Sequence, residues 1–149
     1  MTIRKVRPEE LHEALELVLR VFMEFEAPDY PEEGVEEFKR FIALDAMAPL
    51  VASGERPMWC CETDGKIVGV IAVRNDTHIC LLFVDKAYHR RGIARALFEA
   101  ASQGRAFMTV FSSPYAVGAY QKLGFVPTDT EQLQNGLRFT PMRYESTKK

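Results

Sequence analysis

ICLLFVDKAYHRRGIARALFEAA, residues 79–101, sets apolar, basic and small residues in an order that decides the fold. Ile79 to Val84 is an unbroken apolar run, β-branched at both ends and too short for a core helix, so it reads as a buried strand. After Gly92 the spacing turns helical, with Ile93, Leu97 and Ala101 on one face and Ala94 and Phe98 beside them. Between strand and helix stands Tyr88-His89-Arg90-Arg91-Gly92, which places cationic side chains and a bare glycine where a helix begins. The first amides of a helix have no partner within it and lie at the positive end of its dipole. A strand, a glycine turn and a helix start therefore make a seat for an anion, most often a phosphate.

The common phosphate signatures do not account for it. A P-loop needs G-x-x-x-x-G-K-[ST], which the chain lacks, and the dinucleotide fingerprint needs three spaced glycines where only Gly92 stands. What remains is V-x-x-x-x-[QR]-x-x-G-x-[GA], occupied by Val84, His89, Gly92 and Ala94. This resembles the acetyl-coenzyme A pyrophosphate loop of the GNAT superfamily of N-acetyltransferases, with His89 where that family usually shows Gln or Arg. The resemblance implies that main-chain amides of Arg90, Arg91, Gly92, Ile93, Ala94 and Arg95 hold the diphosphate.

Composition narrows the class. A chain of 149 residues, 47% hydrophobic and 27% charged, is expected to form a single domain, 1–149, with one substantial core. A net charge of −2 argues against nucleic acid as a partner, since a surface that tracks phosphates is basic overall. No apolar run approaches a membrane span, and MTIRKVRPEELHE has no secretory apolar core, so a cytoplasmic location without membrane contact is expected. Cys60, Cys61 and Cys80 have no metal-ligand spacing and read as small buried hydrophobes rather than a disulfide framework; no metal is expected.

In chain order, Ile3 to Arg7 reads as a strand and Pro8 opens a helix with Leu11, Leu15, Val18, Phe22 and Phe25 inward. A second helix is expected from Glu32 to Leu44 and a loop from Met47 to Pro57, where Pro49, Ser53, Gly54 and Pro57 cluster. Met58–Thr63 and Lys66–Arg74 form a hairpin through Asp64-Gly65. Beyond the helix at 92–103, capped by Gly104, lie a strand at Phe107–Phe111 and a helix from Ser113-Pro114 to Gly124. Strands at 125–132 and 137–145 meet at Asn135-Gly136, and Ser146 to Lys149 reads as a frayed end. The fold class is α+β, a mixed central sheet with flanking helices in the order β-α-α-β-β-β-α-β-α-β-β. The strands at 79–84 and 107–111 should be parallel neighbours, joined by the crossover helix. This is the element order of the GNAT fold.

The segment Ser113-Pro-Tyr-Ala116-Val-Gly-Ala-Tyr120-Gln-Lys-Leu-Gly124-Phe125 strengthens the resemblance. It is similar to the family's N-x-x-A-x-x-x-Y-x-x-x-G-F, with Ser113 where Asn is common. The resemblance implies transfer of an acetyl group from acetyl-coenzyme A, as co-substrate, to a primary amine by direct attack in a ternary complex. It places the pantetheine arm along an exposed strand edge near Phe83 and Val84, and makes Tyr120 the proton donor to the leaving thiolate. A phenol of unperturbed pKa ~10 stays protonated at neutral pH and is available for that step.

For the general base the resemblance points to two regions. One is the end of the first helix, with Glu24, Glu26 and Asp29; the other is the head of the central strand, with Asp76 and His78. Glu26 and His78 stand first, His78 having the more suitable unperturbed pKa. Tyr30 and Trp59 are candidate walls of the acceptor pocket, which the loops at 24–34, 46–57 and 128–138 should build. The amine itself is not named by the sequence, and a homodimer is an analogy with the family. The competing reading is a non-catalytic acyl-coenzyme A binding or regulatory module on the same fold.

Overall fold

A computed structural model describes residues 1–146. Its spine is a mixed sheet in the order β1-β2-β3-β4-β5-β8-β6, with β7 paired to β8. The strands are β1 (Thr2–Lys5), β2 (Met58–Thr63), β3 (Lys66–Arg74), β4 (His78–Val84), β5 (Phe107–Ser112), β6 (Val126–Pro127), β7 (Gln132–Gln134) and β8 (Leu137–Glu145). Helices α1 (Leu11–Phe25), α2 (Glu32–Phe41) and α3 (Leu44–Ser53) cover one face; α4 (Ile93–Ser102) and α5 (Val117–Leu123) cover the other. The α+β class and mixed sheet stand as expected. The order gains one helix and one strand.

The added helix corrects the loop expected at 47–57. Pro49 lies inside α3, where it removes a helix hydrogen bond at a cost of ~3 kcal/mol. Packing overrides that local cost: Met47 is fully buried, and Ala48 and Val51 lie against the α1 core. Pro49 itself faces solvent, and Gly54 at φ 83° ends the helix. The second helix consequently stops at Phe41 rather than Leu44. Similarly, the strand expected at 125–132 breaks into β6 and β7, because Pro127 has no N–H to extend the ladder and Asp129 caps a turn through Thr130. The last helix starts at Val117, after a separate turn in which the Ser113 hydroxyl accepts the Ala116 N–H at 3.2 Å. Ser146 is not frayed, since its N–H reaches the Ala106 carbonyl at 2.8 Å; residues 147–149 lie outside the described residues.

Both hairpin turns behave as their sequences demand. Asp64 and Gly65 have φ of 52° and 74°, and Asn135 and Gly136 have 54° and 80°, the positive pairs of a tight turn that matches strand twist. The second of these turns touches α2. A Cβ on Gly34 would overlap the Gly136 carbonyl oxygen, so two bare backbones press together where hairpin and helix meet. Arg138 donates to the Asp29 carbonyl at 2.7 Å and Tyr30 to the Arg138 carbonyl at 3.2 Å, closing the same seam. Gly34→Ala is expected to destabilise the protein by about 1–3 kcal/mol through overpacking, despite the better helix propensity of Ala. Denaturant melts measure it; a net gain would show that the hairpin yields freely.

The decisive irregularity sits in β4. Ala72 pairs with Leu81 but Val73 pairs with Ile79, so Cys80 is an extra residue, a bulge in the central strand. It slips the alternation by one position. Ile79 packs on the α4 side, whereas Leu81 and Phe83 pack on the α1 side. Beyond the bulge, β4 diverges from β5. The two are parallel neighbours, as expected, yet they pair only at His78↔Thr109 and Ile79↔Val110.

Candidate active site

The divergence of β4 from β5 opens a cavity of about 330 Å³. Its walls come from α1, the segment after it, α2, the splayed strands, the turn into α5 and the β7–β8 hairpin. Ladder geometry shows which main-chain groups face the gap. The Asp85 N–H bonds to the Val68 carbonyl at 2.8 Å, and alternation then turns Phe83 and Leu81 toward β3, leaving the N–H groups of Leu82 and Val84 toward β5. Of the two residues read from the sequence, Val84 therefore offers its backbone. Phe83 offers its ring, which lies 5.8 Å from that of Phe38 in the cavity wall. Leu82 is a position the sequence reading missed, because the bulge that sets the parity is invisible in the apolar run.

The turn after β4 leads into α4 with Arg90 and Gly92 at φ 64° and 77°. Gly92 accepts the first helical bond, from Ala96 at 3.0 Å. The main-chain N–H groups of residues 90 to 95 donate to nothing among the described residues. Consecutive free amides with left-handed positions interspersed form a concave donor set for an anion. Their side chains do other work: Arg95 donates to the Lys122 carbonyl at the end of α5 at 2.7 Å, and Arg91 lies over the Tyr88 ring at 5.2 Å. His89 also turns inward. Its Nε2 donates to the Val84 carbonyl at 2.7 Å and its ring meets Phe25, so it braces the end of β4 rather than offering Nε2 to an anion.

Tyr120 is buried, packed edge-on against Phe125, and its hydroxyl has no hydrogen-bond partner among the described residues although it lines the cavity. Burial pushes the phenol above its ordinary pKa, and Glu26 and Cys80 nearby add to the effect. The phenol is thus a firmly protonated, uncommitted donor. Glu26 lines the same cavity. Burial raises its carboxyl to about 7, with the Ser113 hydroxyl acting in the opposite direction and Asp29 in the same one. His78 lines the cavity too, with Nδ1 at 2.8 Å from the Thr109 hydroxyl and its ring against Phe111. Burial, with Arg74 beside it, lowers His78 to about 4, which reverses the order expected from unperturbed pKa values.

The remaining candidates separate cleanly. Tyr30 lines the cavity, its phenol driven upward by burial. Trp59 does not; it lies on β2 with the Lys5 ammonium 4.8 Å from its ring centroid. Glu24 pairs with Lys86 at 3.0 Å and Asp76 with Arg105 at 2.6 Å, both at the surface. Residues 46–57 contribute nothing to the cavity wall, being folded into α3 and the turn after it, whereas Gln134, Asn135 and Leu137 to Phe139 of the hairpin do. Cys60 and Cys61 are buried as expected, but Cys80, the bulge residue, is half-buried in the cavity wall with its thiol raised to about 11 by burial.

Comparison with known proteins gives this geometry its family. The family described as acetyltransferase (GNAT) domain matches residues 26–146, and the chain belongs to it. Among solved structures, the PaiA N-acetyltransferase of Thermoplasma acidophilum, in complex with coenzyme A, superposes with a TM-score of 0.80 at 19% identity, over 97% of this chain and 98% of that one. A GCN5-related N-acetyltransferase of Rhodopseudomonas palustris gives 0.78 at 21%, over 97% and 95%. An aminoglycoside 6'-N-acetyltransferase complexed with coenzyme A gives 0.63 at 14%, over 97% of each chain. At these identities the likeness establishes the fold. No curated protein matches by sequence. No helix among the described residues is long and apolar enough to cross a membrane.

Proposed function

We propose that the protein transfers an acetyl group from acetyl-coenzyme A to a primary amine by direct attack in a ternary complex. The observation that carries this reading is the continuity of two features. The free amides at residues 90 to 95 lie directly beyond the end of β4, and the splay of β4 from β5 leads from them to Tyr120. The residues fit a coenzyme at both ends. The amides and the positive end of α4 hold a diphosphate. The Leu82 and Val84 edge takes an amide-rich arm as an added strand.

An N–H on that edge stabilises the charge that develops on the thioester carbonyl oxygen. Glu26, with its carboxyl raised to about 7, accepts the proton that the ammonium must lose before it attacks. Tyr120 donates to the departing sulfur. His78, held neutral and bonded to Thr109, shapes the wall rather than taking the proton. The enzyme acts in the cytoplasm and, with a net charge of −2, without a nucleic-acid partner.

Titration with acetyl-coenzyme A in a calorimeter tests the first half. Binding that weakens at least about tenfold in Gly92→Val is expected, because a β-branched side chain at φ 77° forces the turn out of its left-handed conformation. Thiol release on adding amines tests the second half. Binding without turnover across polyamines, aminoglycosides, amino acids and peptides would favour the regulatory module instead.

A further inference from the structure

The cavity is lined by both acidic and cationic groups, and one of the cationic groups lacks a partner. Arg74, the last residue of β3, lines the cavity beside His78 and Cys80. Its Nε is buried with no acceptor, and no ion pair or ring holds its guanidinium among the described residues. Arg56, in the turn between α3 and β2, has the same deficiency. Its Nε is also buried and unbonded, one amino group reaches only the Met47 sulfur at 3.5 Å, and its plane lies over Phe41. Both arginines also line a second hollow of about 500 Å³, together with Glu55 and Asp76, which brings the two side chains to one place.

The nearby carboxylates are committed elsewhere. Asp76 is paired with Arg105 at 2.6 Å, Glu55 accepts from the Ser53 hydroxyl at 3.3 Å, and Glu37 in the cavity wall pairs with Arg40 at 2.9 Å. Glu26 and Arg74 line the same cavity from different elements, Glu26 from the segment after α1 and Arg74 from the end of β3, where it pairs with His78 in the ladder. One wall of the cavity therefore presents a carboxyl and a phenol, and another, at the end of β3, a guanidinium whose buried Nε has no acceptor.

Buried donors without acceptors are rare in folded proteins and mark a missing partner. The planar fork of Arg matches a carboxylate two-pronged. We propose that the acceptor is a small amine that also carries a carboxylate, held by Arg74 with Arg56 behind it, so that its amine lies toward Glu26 and Tyr120. This rests on the acetyl-transfer reading above and names the acceptor class for the same site.

The test uses matched sets in which only the carboxylate changes: L-phenylalanine, L-leucine and 5-aminopentanoate, each against its primary amide and its decarboxylated amine. In at least one set the acid should be acetylated with kcat/KM about tenfold or more above its amide. Arg74→Gln should remove that preference by raising KM for the acid until acid and amide react alike, with the affinity for acetyl-coenzyme A unchanged, and Arg74→Lys should restore part of it. Binding is read separately, by thermal shift of the coenzyme A-loaded unsubstituted protein with each acid and its amide, which requires no variant to fold. Equal shifts for acid and amide in every set overturn the proposal, as does a preference that survives Arg74→Gln. Acetylation confined to carboxylate-free amines overturns it while the transferase reading stands. Acids that bind selectively but release no thiol do the reverse.

Discussion

Tyr120→Phe should lower kcat about a hundredfold while leaving the affinity for acetyl-coenzyme A essentially unchanged. General acids contribute roughly 10² to 10⁴ in rate, and the lower end applies because a thiolate is already a weak base and leaves readily. Two features of the structure support the assignment. Burial and the neighbouring Glu26 and Cys80 keep the phenol protonated, and no protein group competes for its proton. The substitution preserves the ring that packs on Phe125, so folding should not suffer; removing an unpartnered buried hydroxyl is neutral or slightly stabilising. Steady-state thiol release together with calorimetry separates the two effects. Turnover equal to that of the unsubstituted protein would take the phenol out of the reaction.

Glu26→Gln should reduce kcat/KM at pH 7.5 by roughly 10² to 10³ and change the shape of the pH profile. With this carboxyl raised to about 7, the unsubstituted protein should gain activity as pH rises through that value. The variant should lack this limb. A limb at about 4 in the unsubstituted protein would instead assign the proton acceptor to His78.

Stability should move the other way. The folded-state pKa of Glu26 lies above the unfolded value of ~4.3, so the folded state binds the proton more tightly and is destabilised as pH rises from about 4.3 through about 7. Glu26→Gln should therefore raise Tm at pH 8 and leave it nearly unaltered at pH 4. A lower Tm at pH 8 would show that the carboxylate is compensated by a favourable contact.

Much of the fold was legible because its signals are local. Asp64-Gly65 and Asn135-Gly136 demand positive φ and so place both hairpins. The 3.6-residue spacing after Gly92 places α4, and the strands on either side of it must then run parallel. The helix at Leu44–Ser53 was not legible, because local propensity at Pro49 opposes it and only the tertiary packing of Met47, Ala48 and Val51 secures it. The free amides at residues 90 to 95 were legible for the same reason as the hairpins, being main-chain groups of one turn and the helix start after it. Arg74 was not visible. Its significance lies in partners it does not have, which no linear spacing records.

The sequence by itself determined the strand–turn–helix that leaves amides free, the phenol at 120 and the order of elements that brings them into one family of folds. Tertiary structure alone decided which groups work together. A single extra residue, Cys80, reverses the parity of β4 and turns it away from β5, and this slip opens the cavity and selects Leu82 and Val84 as its edge. Burial then raises Glu26 and lowers His78, exchanging the ranks that their free-solution acidities would assign. The physical reason is the same in both cases: hydrogen-bond parity and desolvation depend on what lies across the gap, and the residues that supply it are distant along the chain.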